Sequence, residues 1–235
     1  MQTISPVSKL ADVQTTIFTV MSALADRHSA INLSQGFPDF DGPPELLARV
    51  QHYLTNGFNQ YPPMAGVPAL REAIAHKVAD LYGLTCSPES EVTVTAGATE
   101  ALFCAIAAVV NQGDEVILFD PSYDSYDPVI RLQGGVPVHL PLSAPEYRVD
   151  WDMVSDAISD RTRLIIINMP HNPTGSIWDA EDLQALQMLI EDKPIFLVGD
   201  EVYEHIIFDD RLHESLCRYP DLYERSFVCL LYTSP

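Results

Sequence analysis

Two short segments carry side chains suited to holding a flat polar ring. The first is Asn168-Met-Pro-His-Asn-Pro-Thr-Gly175 and the second Asp200-Glu-Val-Tyr203, with Asn172 and Asp200 28 residues apart. Each follows an apolar, largely β-branched stretch, Leu164 to Ile167 and Ile195 to Val198, so each sets polar groups where a buried strand ends. In open α/β sheets that edge is where ligands bind.

Asp200 directly follows Phe196-Leu-Val-Gly199, so its carboxylate needs a cation or hydrogen-bond donors to stay ionised. A protonated pyridine nitrogen would serve; a helix cap or an ion pair with a nearby arginine would explain it equally well. Asn172 lies on a Pro-rich run that cannot be helical, from which its amide could donate to a phenolate-like oxygen. Tyr203 could aim a second donor at that oxygen. Asn-Pro and Pro-Thr-Gly also make ordinary turns, and the isomer of the Asn172-Pro173 bond is left open. Gly97-Ala98-Thr99 lies between a strand and a helix, where free amides and the helix dipole favour an anion such as phosphate, although a simple turn capped by Thr99 has the same spelling. Tyr123 could stack on a ring or merely pack. His171 and His205 flank the main motifs without a carboxylate or cysteine at metal or triad spacing, and are read as structural.

These residues need strands and helices to position them. Periodicity predicts helices over Thr15–Arg27, Glu45–Thr55, Ala69–Tyr82, Ala101–Asn111, Trp151–Ser159 and Ala180–Glu191. Strands are expected at Ile31–Ser34, Glu91–Thr95, Glu115–Phe119, Val136–Leu140, Leu164–Ile167 and Ile195–Val198, with another starting at Ser226. Gln35–Phe40 and Asn59–Pro68 are loops by their Gly and Pro content. The strand, turn, helix repetition implies an α/β fold in three layers, a mostly parallel sheet with helices on both faces.

With 235 residues and 47% hydrophobic composition, the chain can bury a sizeable core. Thirteen basic against 33 acidic residues give a formal charge of -20, which repels nucleic acid and anionic lipid. The longest apolar runs fall short of the roughly 18 residues of a membrane span. Met1 to Asp12 lacks the pattern of a secretory signal, so the expected compartment is cytoplasmic. Cys86, Cys104, Cys217 and Cys229 are too scattered for a disulfide framework or a zinc site, and no metal is expected.

A phosphate turn, an aromatic, an amide and a phenol for a ring oxygen, and a carboxylate for a ring nitrogen together match pyridoxal phosphate. At this point the chain resembles the class I aminotransferases among fold-type I pyridoxal-phosphate enzymes, nearest the bacterial methionine and kynurenine aminotransferase branch. The resemblance runs through Leu33-Ser-Gln-Gly-Phe-Pro-Asp-Phe40, Gln60-Tyr61, Val94-Thr-Ala-Gly-Ala-Thr-Glu-Ala101, Asp120-Pro-Ser-Tyr-Asp-Ser-Tyr126, Pro170-His-Asn-Pro-Thr-Gly175 and Asp200-Glu-Val-Tyr-Glu-His205. It implies that Gly97, Ala98 and Thr99 bind the phosphate, Tyr123 stacks on the ring, Asn172 and Tyr203 hold the 3-hydroxyl oxygen, and Asp200 pairs with the ring nitrogen. It further implies Gly36 beside the substrate carboxylate and Tyr61 reaching the phosphate of a neighbouring subunit, hence a homodimer. An amino group would pass from an L-amino acid, of methionine or aromatic type, to a 2-oxo acid.

The resemblance also implies a Schiff-base lysine about 30 residues after the aspartate, and none is there. Lys9 lies in the N-terminal tail, Lys77 inside a helix, and Lys193 ahead of the strand ending at Asp200, about 20 Å away at about 3.3 Å per residue. The chain therefore reads as a truncated product, with residues 1–34 an N-terminal segment of the small domain and dimer arm, 35–235 an incomplete cofactor-binding large domain, and the C-terminal small domain absent. Likeness stops near Val228, and the last seven residues read as foreign. The fragment is expected to be inactive. A β-lyase and a non-catalytic homologue that lost the lysine are the alternative readings.

Overall fold

The computed structural model describes residues 7–36, 38 and 40–231. Phe37 and Asp39 of the predicted 35–40 loop, residues 1–6 of the N-terminal tail, and residues 232–235 of the closing stretch lie outside them. The chain divides into two compact units between Pro63 and Met64; the sequence reading set its boundary earlier, after Ser34.

The first unit holds helices α1 (Ile17–Arg27) and α2 (Pro44–Thr55). Thr16 caps α1 by accepting from the Thr19 amide, and α2 opens on Pro44, whose fixed φ suits a first helical turn. Ile31–Ser34 is not a strand. Its Ile31 and Leu33 are exposed, so nothing packs a pleated face there.

The second unit starts with α3 (Pro68–Tyr82), closed by Gly83 in the left-handed conformation at φ 74°, as a helix C-terminal glycine allows. Then follow α4 (Ala98–Val109), β1 (Glu115–Asp120), α5 (Tyr126–Leu132), β2 (Val136–Pro141), α6 (Trp151–Ala157), β3 (Thr162–Asn168), α7 (Ala180–Ile190), β4 (Phe196–Asp200), a 3-10 turn (Leu216–Arg218), α8 (Pro220–Tyr223) and β5 (Ser226–Cys229). The five strands form one parallel sheet in the order β2-β1-β3-β4-β5. Glu91–Thr95, expected as a strand, is irregular: its Val94 amide bonds to the Ala65 carbonyl of a loop at 3.0 Å and joins no ladder. Helix α5 went unpredicted because seven residues containing Pro128 leave too short a run for periodicity to register.

Alternation along the strands divides the core. Ile117, Phe119, Ile165, Ile167 and Leu197 point to one face, where they pack with Val154 of α6 and Leu183, Leu186 and Ile190 of α7. Val116, Leu118, Leu164, Ile166 and Val198 point to the other, against Leu102, Ile106 and Val109 of α4 and Ile130 of α5. Residues 164–167 are at most 2% exposed. That is why β3 spells an unbroken apolar run rather than an alternating one. Asp179 caps α7 in a capping box with Asp182, which also accepts from the Trp151 indole at 3.1 Å and so ties α7 to α6.

Candidate active site

The parallel sheet brings the carboxyl ends of β1, β3 and β4 to one edge. Asn168 and Asp200 end their strands in register. The Asn168 amide donates to the Asp200 carbonyl at 2.9 Å, and its Oδ1 accepts from the Asn172 amide at 2.6 Å. Asn168 thus fixes the loop that carries Asn172, a role its place after a buried apolar strand could have signalled. The Asn172-Pro173 bond is cis.

A cavity of about 200 Å³ opens at this edge, lined by Ala98, Thr99 and Leu102 of α4, Tyr123, Asn168, Asn172, Asp200, Val202, Tyr203 and Leu231. Six residues singled out from sequence, Ala98, Thr99, Tyr123, Asn172, Asp200 and Tyr203, therefore share one wall. Gly97 does not line it but is the N-cap of α4, at φ 86° and ψ 171°, a conformation essentially reserved for glycine. Thr99 is not the cap: it sits within the first turn, and no side-chain hydrogen bond caps the helix. Gly36 and Tyr61 lie in the first unit, and both are exposed.

Asp200 is 4% exposed, and the donors to its carboxylate among the described residues are uncharged: the Tyr126 hydroxyl at 2.5 Å to Oδ2 and the Val202 amide at 3.5 Å to Oδ1. The arginine pairing that sequence left open is not made. Burial pushes its pKa up, the Tyr126 and Val202 hydrogen bonds oppose that rise, and the adjacent Glu201 adds to it. Asn172 Nδ2 lies 3.5 Å from the Tyr203 hydroxyl, so an amide and a phenol stand together on the wall. Burial also raises the Tyr203 pKa, with the nearby Asp200 charge reinforcing it, so the phenol keeps its proton as a donor. Tyr123 meets Tyr126 edge to face with ring centroids 5.7 Å apart.

Supporting groups lie behind the wall. His171 is buried, with Nδ1 2.8 Å from the Thr174 hydroxyl; burial lowers its pKa, opposed by a hydrogen bond to the Phe119 backbone. This ring joins the end of β1 to the Asn172 loop. His205 is exposed, 3.6 Å from the Glu204 carboxylate. Glu201 is fully buried and accepts from the Leu216 amide at 3.0 Å, with His213 Nε2 at 2.7 Å. Glu204 takes the Lys77 ammonium and the Tyr82 hydroxyl of α3. Lys77 is thus engaged elsewhere and Lys193 donates to the Leu189 carbonyl ahead of β4; among the described residues of the second unit no lysine lines the cavity.

Chemically, the cavity offers an uncapped helix N-terminus for an anion, a buried carboxylate for a cationic donor, and an amide and a phenol for an oxygen. Among the described residues no group of histidines, cysteines and carboxylates is arranged to hold a metal, and no helix is long and apolar enough to cross a membrane.

Comparison with known proteins agrees with this chemistry. Residues 28–233 match the family Aminotransferase class I and II. The chain is 55% identical over 221 residues to the methionine aminotransferase of Escherichia coli K12, and 44% identical over 225 residues to a probable N-succinyldiaminopimelate aminotransferase of Mycobacterium tuberculosis, covering 94% of itself in both. It spans 57% and 56% of those relatives' lengths. Among solved structures, Escherichia coli YbdL, described with a methionine aminotransferase function, superposes at a TM-score of 0.92, with 54% identity over 96% of this chain and 59% of that one. The Mycobacterium tuberculosis N-succinyldiaminopimelate aminotransferase superposes at 0.91, with 43% identity over 95% and 59%.

The chain belongs to the class I and II aminotransferases, and its second unit has the fold of the type I large domain. Enzymes of this family depend on pyridoxal phosphate. The residues present fit that group: a buried carboxylate with no cation of its own among the described residues lines the same cavity as a helix start with no side-chain cap.

Proposed function

We propose that this chain supplies the cofactor-holding wall of an amino-acid aminotransferase. One observation carries the reading: a single cavity gathers Ala98, Thr99, Tyr123, Asn172, Asp200 and Tyr203, six of the eight residues to which the cofactor's separate groups are assigned from sequence.

When bound, pyridoxal phosphate supplies an electron sink for an amino acid's α-carbon and carries the amino group from donor to 2-oxo acid. The amides opening α4, aided by the backbone freedom of Gly97, would take the phosphate. Asp200 would hold a proton at the ring nitrogen by offering its charge there. Asn172 and Tyr203 would donate to the 3-oxygen, and Tyr123 would lie against the ring face. Gly36 is assigned to the substrate carboxylate, and the exposed Tyr61 to the phosphate of a partner subunit in a homodimer. With no lysine on the cavity wall, binding by these residues is non-covalent, and the chain by itself is expected not to turn over. Methionine is the favoured donor, because the 55% identical relative carries that activity in its name.

Titrating the chain with pyridoxal phosphate, followed by absorbance and equilibrium dialysis, tests this. Dialysable binding that Asp200→Ala abolishes supports the reading. Absence of binding, or binding indifferent to Asp200, defeats it. Borohydride treatment should leave no cofactor on any lysine.

A further inference from the structure

Tyr126 closes the Asp120–Tyr126 motif but was given no role above, and it does not line the cavity. It opens α5 and is 2% exposed, and its hydroxyl reaches Asp200 Oδ2 at 2.5 Å across 74 residues of sequence. Asp200 Oδ1 has only the Val202 amide, at 3.5 Å, among the described residues. One oxygen is thus strongly held from behind while the other remains for a ligand. The same short segment carries Tyr123, whose ring meets that of Tyr126 edge to face.

We propose that Tyr126 is a positioning residue for Asp200: its hydroxyl, donated to Oδ2, keeps the carboxylate ionised and turned so that Oδ1 is presented to a cationic ring nitrogen. The inference rests on reading Asp200 as that nitrogen's partner. A hydrogen bond to a charged group is stronger than a neutral one, and in a dry setting its loss falls on the ionised form alone. Tyr126 therefore does for Asp200 what a basic residue would otherwise do, without placing a competing positive charge beside the ligand.

The test is carbon-13 NMR of the aspartate carboxyls in the full chain, with Asp200→Asn assigning the Asp200 signal. Tyr126→Phe should move the Asp200 titration midpoint upward by about one pH unit or more; an unmoved midpoint overturns the proposal. A second readout compares pyridoxal phosphate with its 1-deaza analogue, which lacks the ring nitrogen. Tyr126→Phe should cut the preference for the natural cofactor by about tenfold while leaving affinity for the analogue unchanged, one pH unit and a factor of ten being the same energy. Equal weakening of both compounds is what a merely structural tyrosine gives, and overturns the proposal. If the chain binds neither compound, the cofactor reading falls, and the Asp200 titration still decides the Tyr126 link. If Tyr126→Phe does not fold, 3-fluorotyrosine labelling of the wild-type chain replaces it. The Tyr126 fluorine signal must then follow the Asp200 titration, and a signal flat through it overturns the proposal.

Discussion

Asn168 and Asp200 stand side by side at the carboxyl ends of β3 and β4, and the Asn168 side chain donates to the Asp200 carbonyl while accepting from the Asn172 amide. One buried amide therefore sets both motifs of the cavity. Asn168→Ala leaves the part-buried Asn172 amide without its acceptor and the Asp200 carbonyl with the Met169 amide alone. The expected loss is about 1–3 kcal/mol of stability by denaturant unfolding, together with weaker cofactor binding, since Asn172 loses its tether. Asn168→Asp, which can accept but not donate, should recover the Asn172 contact and not the Asp200 one.

Gly199 immediately precedes Asp200, and a Cβ there would stand 2.7 Å from Leu216 Cδ1 and 3.3 Å from Glu201 Oε1. Gly199→Ala should cost about 1–3 kcal/mol through overpacking. Leu216→Ala in the same chain should relieve part of that clash, so thermal or urea unfolding of the double variant should depart from the sum of the singles.

Glu204 has a side chain 2% exposed and depends on Lys77 and Tyr82 of α3 for its donors. Lys77→Met strands that carboxylate and should destabilise the chain by about 3 kcal/mol in denaturant unfolding. Pairing it with Glu204→Gln should restore much of the loss, because the buried charge is gone. Equal instability of single and double variants would refute the charge argument.

His139 on β2 sits between Asp120 and Asp127, with Nδ1 3.0 Å from one carboxylate and Nε2 3.3 Å from the other. Burial alone would lower its pKa, but hydrogen bonds and charge from Asp120 and Asp127 outweigh it and raise the value above 6.5. A raised folded-state pKa stabilises the fold fully below the unfolded value near 6.5, and that contribution disappears as pH climbs through the folded value. Unfolding midpoints should accordingly fall over that window in the wild type, and His139→Gln should flatten that part of the profile.

The apolar runs 115–119, 164–167 and 195–198 were legible as strands because they are buried on both faces, and the polar residues just after them as neighbours at one edge because a parallel sheet brings those ends together. What stayed hidden depends on contacts between distant segments. Tyr126 acquires its role only by meeting Asp200, and Glu201 and Glu204 only through His213, Leu216, Lys77 and Tyr82. The strand expected at Glu91–Thr95 has the right residue types, but its Val94 amide pairs with a loop. β-propensity cannot supply a partner that the ladder does not offer.

The cavity draws on residues from Ala98 to Leu231, contributed by a helix start, three strand ends and the stretch after β5. Such a surface exists only once the second unit has folded. A molecule that occupies it has no counterpart to bind in the unfolded chain, so by mass action it works as a clasp on the whole unit, worth about 2.7 kcal/mol at a hundredfold excess over its Kd. The melting temperature of this chain, followed against ligand concentration, therefore reports occupancy of the cavity without any catalytic step.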